Sequence, residues 1–218
     1  METEEIREKK EPKRLPVWAC ILLFALGLFV TFGLYSTIGF GGLSLILGDE
    51  ARHPGLLGHM VAEAGMLLAV LTSAVILLYF ERRPFSDLGL TLKGHARGLW
   101  YGLLAAILLY LIGFGLSLAL GEVEVTGFQF DPLNLLATFV FCLLVALAEE
   151  IMMRGYILGR LLHTRMNKFL SLFVSALLFA LLHLFNPNLA FLPMLNLVLA
   201  GMFIGASYLY TRNLCFPI

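Results

Sequence analysis

Charge is the scarce ingredient of this chain. Asp, Glu, Lys and Arg together make up 14% of its 218 residues against 60% hydrophobic residues, and the formal net charge is zero. So little charge lies far outside the range of a soluble domain. Cysteine is sparse too. Cys20, Cys142 and Cys215 lie in or against apolar runs and form no framework, so free, packed thiols without disulfides are expected. Several catalytic signatures are missing. Without His-Glu-x-x-His there is no zincin arrangement, and without Gly-x-Ser-x-Gly there is no nucleophile elbow. No aspartate falls inside an apolar run, which argues against an aspartyl dyad. Neither a Walker loop nor a dinucleotide glycine fingerprint occurs, and no nucleic-acid partner is expected.

What the chain has instead is length in its apolar runs. Six stretches, approximately 17–40, 56–80, 99–120, 133–153, 169–185 and 189–210, are long enough or nearly so to cross roughly 30 Å of hydrocarbon as helices. They are continuously apolar rather than alternating, which disfavours a β-barrel. The expected fold is all-α, a polytopic transmembrane helix bundle with six spans. Residues 1–16 read as a cytoplasmic segment, retained rather than cleaved, and 17–218 as a single membrane-embedded domain.

Basic residues occupy every second loop. Arg7, Lys9, Lys10, Lys13 and Arg14 precede the first span, and Arg82, Arg83, Lys93 and Arg97 follow the second. Arg154, Arg160, Arg165 and Lys168 follow the fourth, and Arg212 the sixth. The intervening loops hold Asp49, Glu50, Glu122, Glu124 and Asp131, with Arg52 their only Lys or Arg. The positive-inside rule then puts the N-terminus in the cytoplasm. Pro84 and Gly89 break the basic loop 81–97, which is expected to lie along that interface; Asn186-Pro187-Asn188 reads as a tight turn. Gly201-x-x-x-Gly205 reads as a close-packing surface.

Against this background Glu149 and Glu150 stand out, side by side near the end of the fourth apolar run. Carboxylates in hydrocarbon cost kilocalories and mark function by default. Arg154 follows Glu150 by one helical turn, within salt-bridge reach, leaving Glu149 about 100° around the helix to face elsewhere. The fourth run extends as a helix to about Leu162, and the turn at 163–168 returns the chain into the fifth span. Residues 149 and 183 are equidistant from Met166, each roughly 25 Å along its helix at 1.5 Å per residue. Glu149 and His183 are therefore expected level with each other, although spacing alone does not say whether they face. A carboxylate beside an imidazole can act as a general base on water, or simply bond two helices together. Asn196 either donates to this site or joins helices, and Phe179 is expected to pack against His183. His59 and Glu63, four apart in the second span, are read as interhelical bonding, with a metal half-site or a supporting role as alternatives.

The blocks Glu149-Glu150-x-x-x-Arg154-Gly-Tyr-Ile, Phe179-Ala-Leu-Leu-His183-Leu-Phe-Asn-Pro-Asn and the run from Leu195-Asn196 to Ile218 together resemble the CPBP family. This family includes type II CAAX prenyl endopeptidases and bacterial Abi-type membrane proteins. The resemblance implies an intramembrane glutamate-type endopeptidase in a bacterial cell membrane, acting on a membrane-associated protein or peptide. By this carry-over Glu149 and His183 activate water, while Glu150, Arg154, Asn196 and Phe179 support the site. A divalent metal stays open from older descriptions of the family, but Glu149 and His183 alone do not complete a zinc site, so no cofactor is expected. In the family a final helix carries His-x-x-x-Asn for oxyanion stabilisation. This sequence stops at Ile218 before such residues, so a further span is expected to be missing and the chain as given impaired. The alternatives are a non-catalytic scaffold or bacteriocin-immunity protein using the same cavity and, third, a proton-coupled transporter. Oligomeric state is not legible.

Overall fold

The computed structural model describes residues 15–48, 55–184, 186 and 190–218. Among these the chain is helical, 78% by residue, without strands. Five helices are long and apolar enough to cross a membrane. They are α1 (Val17–Leu47), α2 (Gly55–Phe80), α3 (Ala96–Ala119), the continuous run Pro132–Leu161, and α6 (Phe191–Thr211). Within the fourth run, α4 (Pro132–Glu150) passes into a π-helical segment, Ile151–Leu158, and ends in one α-turn, Gly159–Leu161. A shorter apolar helix, α5 (Lys168–Leu182), occupies the place of the fifth expected span. At 15 residues it is about 22 Å long.

Local chemistry sets several of these ends. Asp131 caps α4, its carboxylate accepting from the Leu133 and Asn134 N–H groups at 3.0 and 3.1 Å, with Pro132 at the first helical position. Asn167 caps α5 the same way, accepting from Phe169 N–H at 2.8 Å. α1 runs on to Leu47, seven residues beyond the expected end at Phe40. Gly41 and Gly42 do not stop it, because in lipid a broken helix would leave backbone groups without partners.

The π-segment is the centre of the bundle. All eight of its residues are buried, and α2, α5 and α6 pack around it. A π-turn loosens the usual backbone bonding, and neighbours supply partners for it. The Ser175 hydroxyl on α5 donates to Met153 O at 3.2 Å, and the Tyr208 hydroxyl on α6 donates to Gly155 O at 3.4 Å. Gly155 is needed here: a Cβ at this position would stand 2.9 Å from the Leu88 carbonyl oxygen. The expected small-residue contact is present as well, since Gly201 lies against Ala176 and Gly205 against Leu172 and Leu158.

The basic loop does not lie wholly on the interface. A 3₁₀ turn, Phe85–Leu88, carries Leu88 into the core, where it is 1% exposed. The segment after α6 clamps this loop. Leu214 N–H donates to Gly89 O at 2.9 Å and Asn213 Nδ2 to Thr91 O at 2.7 Å. α3 contributes no buried residue and touches the same segment at Gly98 and Gly102. Among the described residues all three cysteines are free: Cys20 and Cys215 are buried, whereas Cys142 is exposed rather than packed. The expected turn at Pro187-Asn188, like the acidic residues Asp49 and Glu50, lies outside the described residues.

Candidate active site

The polar residues converge where α4 becomes π-helical. Arg154 is 2% exposed and fills the space between three elements. Its Nη1 donates to Glu150 Oε1 at 2.7 Å, its Nη2 to Gly201 O of α6 at 3.4 Å, and its guanidinium lies 4.9 Å from the Phe179 ring centre on α5. Close approach at Gly201 and Gly205 is what admits this side chain between the helices; a Cβ on Gly205 would come within 3.9 Å of Arg154 Nε. Glu150 is 5% exposed, and its Oε2 has no hydrogen-bond partner among the described residues. A charged, forked Arg satisfies one carboxylate here and stacks on an aromatic face at the same time.

Glu149 turns to the other side of α4 and meets His183. Its Oε1 lies 3.7 Å from His183 Nε2. α5 ends at Leu182, three residues short of the expected boundary, so His183 sits at the helix end with φ −91° and ψ 1°. Its Nδ1 lies 2.9 Å from Phe179 O, and its ring meets the Phe179 ring edge-on at 4.8 Å. A carbonyl only accepts, so Nδ1 carries the hydrogen in that bond. In the neutral ring Nε2 then presents its lone pair towards Glu149. Two acceptors 3.7 Å apart cannot bond each other but can both receive hydrogens from one water molecule. Exposure separates the two carboxylates: the Glu149 and His183 side chains are 35% and 21% exposed, those of Glu150 and Arg154 7% and 2%. The first pair is open to its surroundings and the second is enclosed.

The remaining expected residues divide. Phe179 is 9% exposed and touches both His183 and Arg154, a double contact that spacing did not reveal. Asn196 is exposed on α6 and takes part in none of the hydrogen bonds that hold the site. On α2, the His59 ring packs edge-on against Phe141 of α4 at 6.3 Å, and Glu63 is half-buried. No group of three or more His, Cys, Asp or Glu side chains comes together among the described residues. Glu149 and His183 offer two donors, so the residues present do not fit a zinc site.

Residues 131–218 match the family described as Type II CAAX prenyl endopeptidase Rce1-like. This match, over the C-terminal two-fifths of the chain, supports membership of the CPBP family. No curated protein and no solved structure matches it. The match supports a CAAX-type protease kind of function, and together with the five long apolar helices it points to an integral membrane protein in a bilayer. The matched region begins at the cap of α4 and contains the Glu149–His183 pair and the whole Arg154 cradle.

A second polar cluster was not foreseen. Glu81, just after α2, forms an ion pair with Arg160 Nη2 through Oε2, and its Oε1 accepts from the Tyr156 hydroxyl at 3.3 Å. Arg83 approaches Glu81 at 3.8 Å and Asp87 at 3.2 Å. Tyr156 also stacks on Phe24 of α1, with ring centres 4.3 Å apart. This knot ties α1, α2 and the π-segment together at their basic-loop end. The only hint in the sequence was that Glu81, Arg83 and Arg160 all fall at span ends.

Proposed function

We propose that the protein is an intramembrane glutamate-type endopeptidase that hydrolyses a peptide bond in a membrane-associated protein or peptide. The carrying observation is the Glu149–His183 pair, 3.7 Å apart with Nδ1 of the ring tied to Phe179 O. A water molecule donating to Glu149 Oε1 and His183 Nε2 would have its oxygen lone pairs turned outward, towards a substrate carbonyl. Glu149 takes one proton as that oxygen bonds to the carbonyl carbon. The tetrahedral intermediate then expels the amine as its C–N bond breaks, and Glu149 returns the proton to the leaving nitrogen. His183 holds the water and stabilises the protonated carboxyl. Glu150 and Arg154 stay paired and fix the height and rotation of Glu149.

On this reading all six apolar helices span the bilayer, and residues 17–218 act as one domain with the N-terminus in the cytoplasm. Glu149 lies about 26 Å from the start of α4 at 1.5 Å per residue, so the site opens towards the basic-loop side. Support for proteolysis over a non-catalytic scaffold comes from the exposure of one carboxylate of the pair and the enclosure of the other. The test uses the purified full-length protein in liposomes with a farnesylated CAAX peptide. Wild type cleaves it, and Glu149→Ala and His183→Ala do not while melting as wild type does. Retained cleavage in both variants would sink the assignment.

A further inference from the structure

α2 ends in a cap that glycine usually forms. Arg82 N–H donates to Tyr79 O at 3.1 Å and Arg83 N–H to Leu78 O at 2.9 Å. These are the paired closing bonds of a Schellman motif, whose turning residue is left-handed. Arg82 takes that place with φ 54°. Glycine would sit there without strain, so an arginine held there points to a use for its charge. The turn sets Arg83 back against the last turn of α2, beside an open groove of about 180 Å³ lined by Val75, Leu78, Tyr79, Arg83 and Phe85. Arg83 is fixed in this wall by Asp87, 3.2 Å from Nη1, and by Glu81, 3.8 Å from Nε. Glu81 is itself paired with Arg160. With Asp87 and Glu81 so matched, the charge of Arg82 stands in excess at this corner. Tyr79 and Phe80, both exposed and edge-on to each other at 5.9 Å, directly precede the charged residues. Such aromatics mark the headgroup level of a bilayer.

We propose that this groove binds an anionic phospholipid, with an acyl chain along Val75, Tyr79 and Phe85 and the phosphate held by Arg82 and Arg83. The apolar wall gives way to guanidinium groups where a lipid's own chain gives way to its headgroup. Arginine forks suit phosphate oxygens, and basic sites beside membrane helices take anionic headgroups. A free phosphate would leave the apolar wall uncovered, and a neutral lipid would leave Arg82 unmatched. The groove stands apart from the hydrolytic pair. Arg160, which joins this corner through Glu81, follows Glu149 by eleven residues, about 15 Å along the helix. An occupant would brace the loop whose Leu88 carbonyl packs at Gly155 of the π-segment. The inference holds independently of the endopeptidase reading.

The test places a fluorescent reporter in the groove, Tyr79→Trp, with Trp18→Phe and Trp100→Phe removing the other two tryptophans. The full chain is reconstituted in phosphatidylcholine liposomes with rising fractions of brominated phosphatidylglycerol or brominated phosphatidylcholine. Half-quenching should need an at least about fivefold lower fraction of the anionic lipid, the share of one arginine near a charged headgroup. Adding Arg82→Gly should bring the two lipids within about twofold of each other. The same variant should melt at or above the temperature of the reporter protein, because glycine relaxes the left-handed turn. If it melts lower, Arg82→Asn, which also tolerates that turn, takes its place. Val75→Phe fills the groove and should abolish the preference with both arginines still present. Equal quenching by the two lipids in the reporter protein, or a preference that survives either variant, would overturn the proposal. Inorganic phosphate at millimolar concentration should not reverse the quenching; reversal would reveal a free-phosphate site and overturn it too. Reversal by the farnesylated CAAX peptide would give the groove to substrate, with the same consequence.

Discussion

Arg154 Nη2 reaches from the π-segment to the Gly201 carbonyl of α6 while Nη1 of the same guanidinium holds Glu150. One side chain thus joins the carboxylate pair to a neighbouring helix, and the site stands on that buried contact.

Removing Arg154 should therefore cost more than removing the whole pair. Arg154→Met leaves the Glu150 charge buried and unpaired, a loss of about 3–5 kcal/mol. Glu150→Gln combined with Arg154→Met should recover most of it. Thermal unfolding in detergent measures both, and a double variant as unstable as the single one would contradict the account.

Gly155 should tolerate no side chain. A Cβ there stands 2.9 Å from the Leu88 carbonyl, which is backbone and cannot swing aside, so Gly155→Ala should destabilise by about 1–3 kcal/mol. At Gly113 a Cβ would meet nothing within 4 Å, and Gly113→Ala should lie within about 0.5 kcal/mol of wild type. Equal melting of the two variants would mean that the loop does not pack on the π-segment as described.

Tyr156→Phe removes one bond to Glu81 while keeping the stack on Phe24. A hydrogen bond to a charged acceptor contributes about 1.5–3 kcal/mol. The variant should lose about that much stability and keep its cleavage rate at temperatures well below melting, since the knot supports the bundle and not the water.

The long apolar helices were legible because hydropathy and length are one-dimensional signals. The Glu150–Arg154 pair needed only local spacing, and the level of Glu149 against His183 needed only counting from a turn. Their facing each other depends on helix rotation, which packing sets. The π-segment was not legible, because its backbone is completed by Ser175, Tyr208 and Leu88 from distant stretches. Asn196 shows the opposite error: a polar residue in an apolar run invited a role, but its side of α6 faces away from the contacts made by Gly201 and Gly205.

The most direct test of the central claim is the energetic coupling of Glu149 and His183. Cleavage of the farnesylated CAAX peptide should be measured for Glu149→Gln, His183→Ala and the double variant, all in liposomes. If the two side chains act on one water molecule, each single change should lower kcat by at least about a thousandfold, and the double change should cost little more than the worse single one. Losses that multiply, or near-wild-type cleavage by either single variant, would contradict the account.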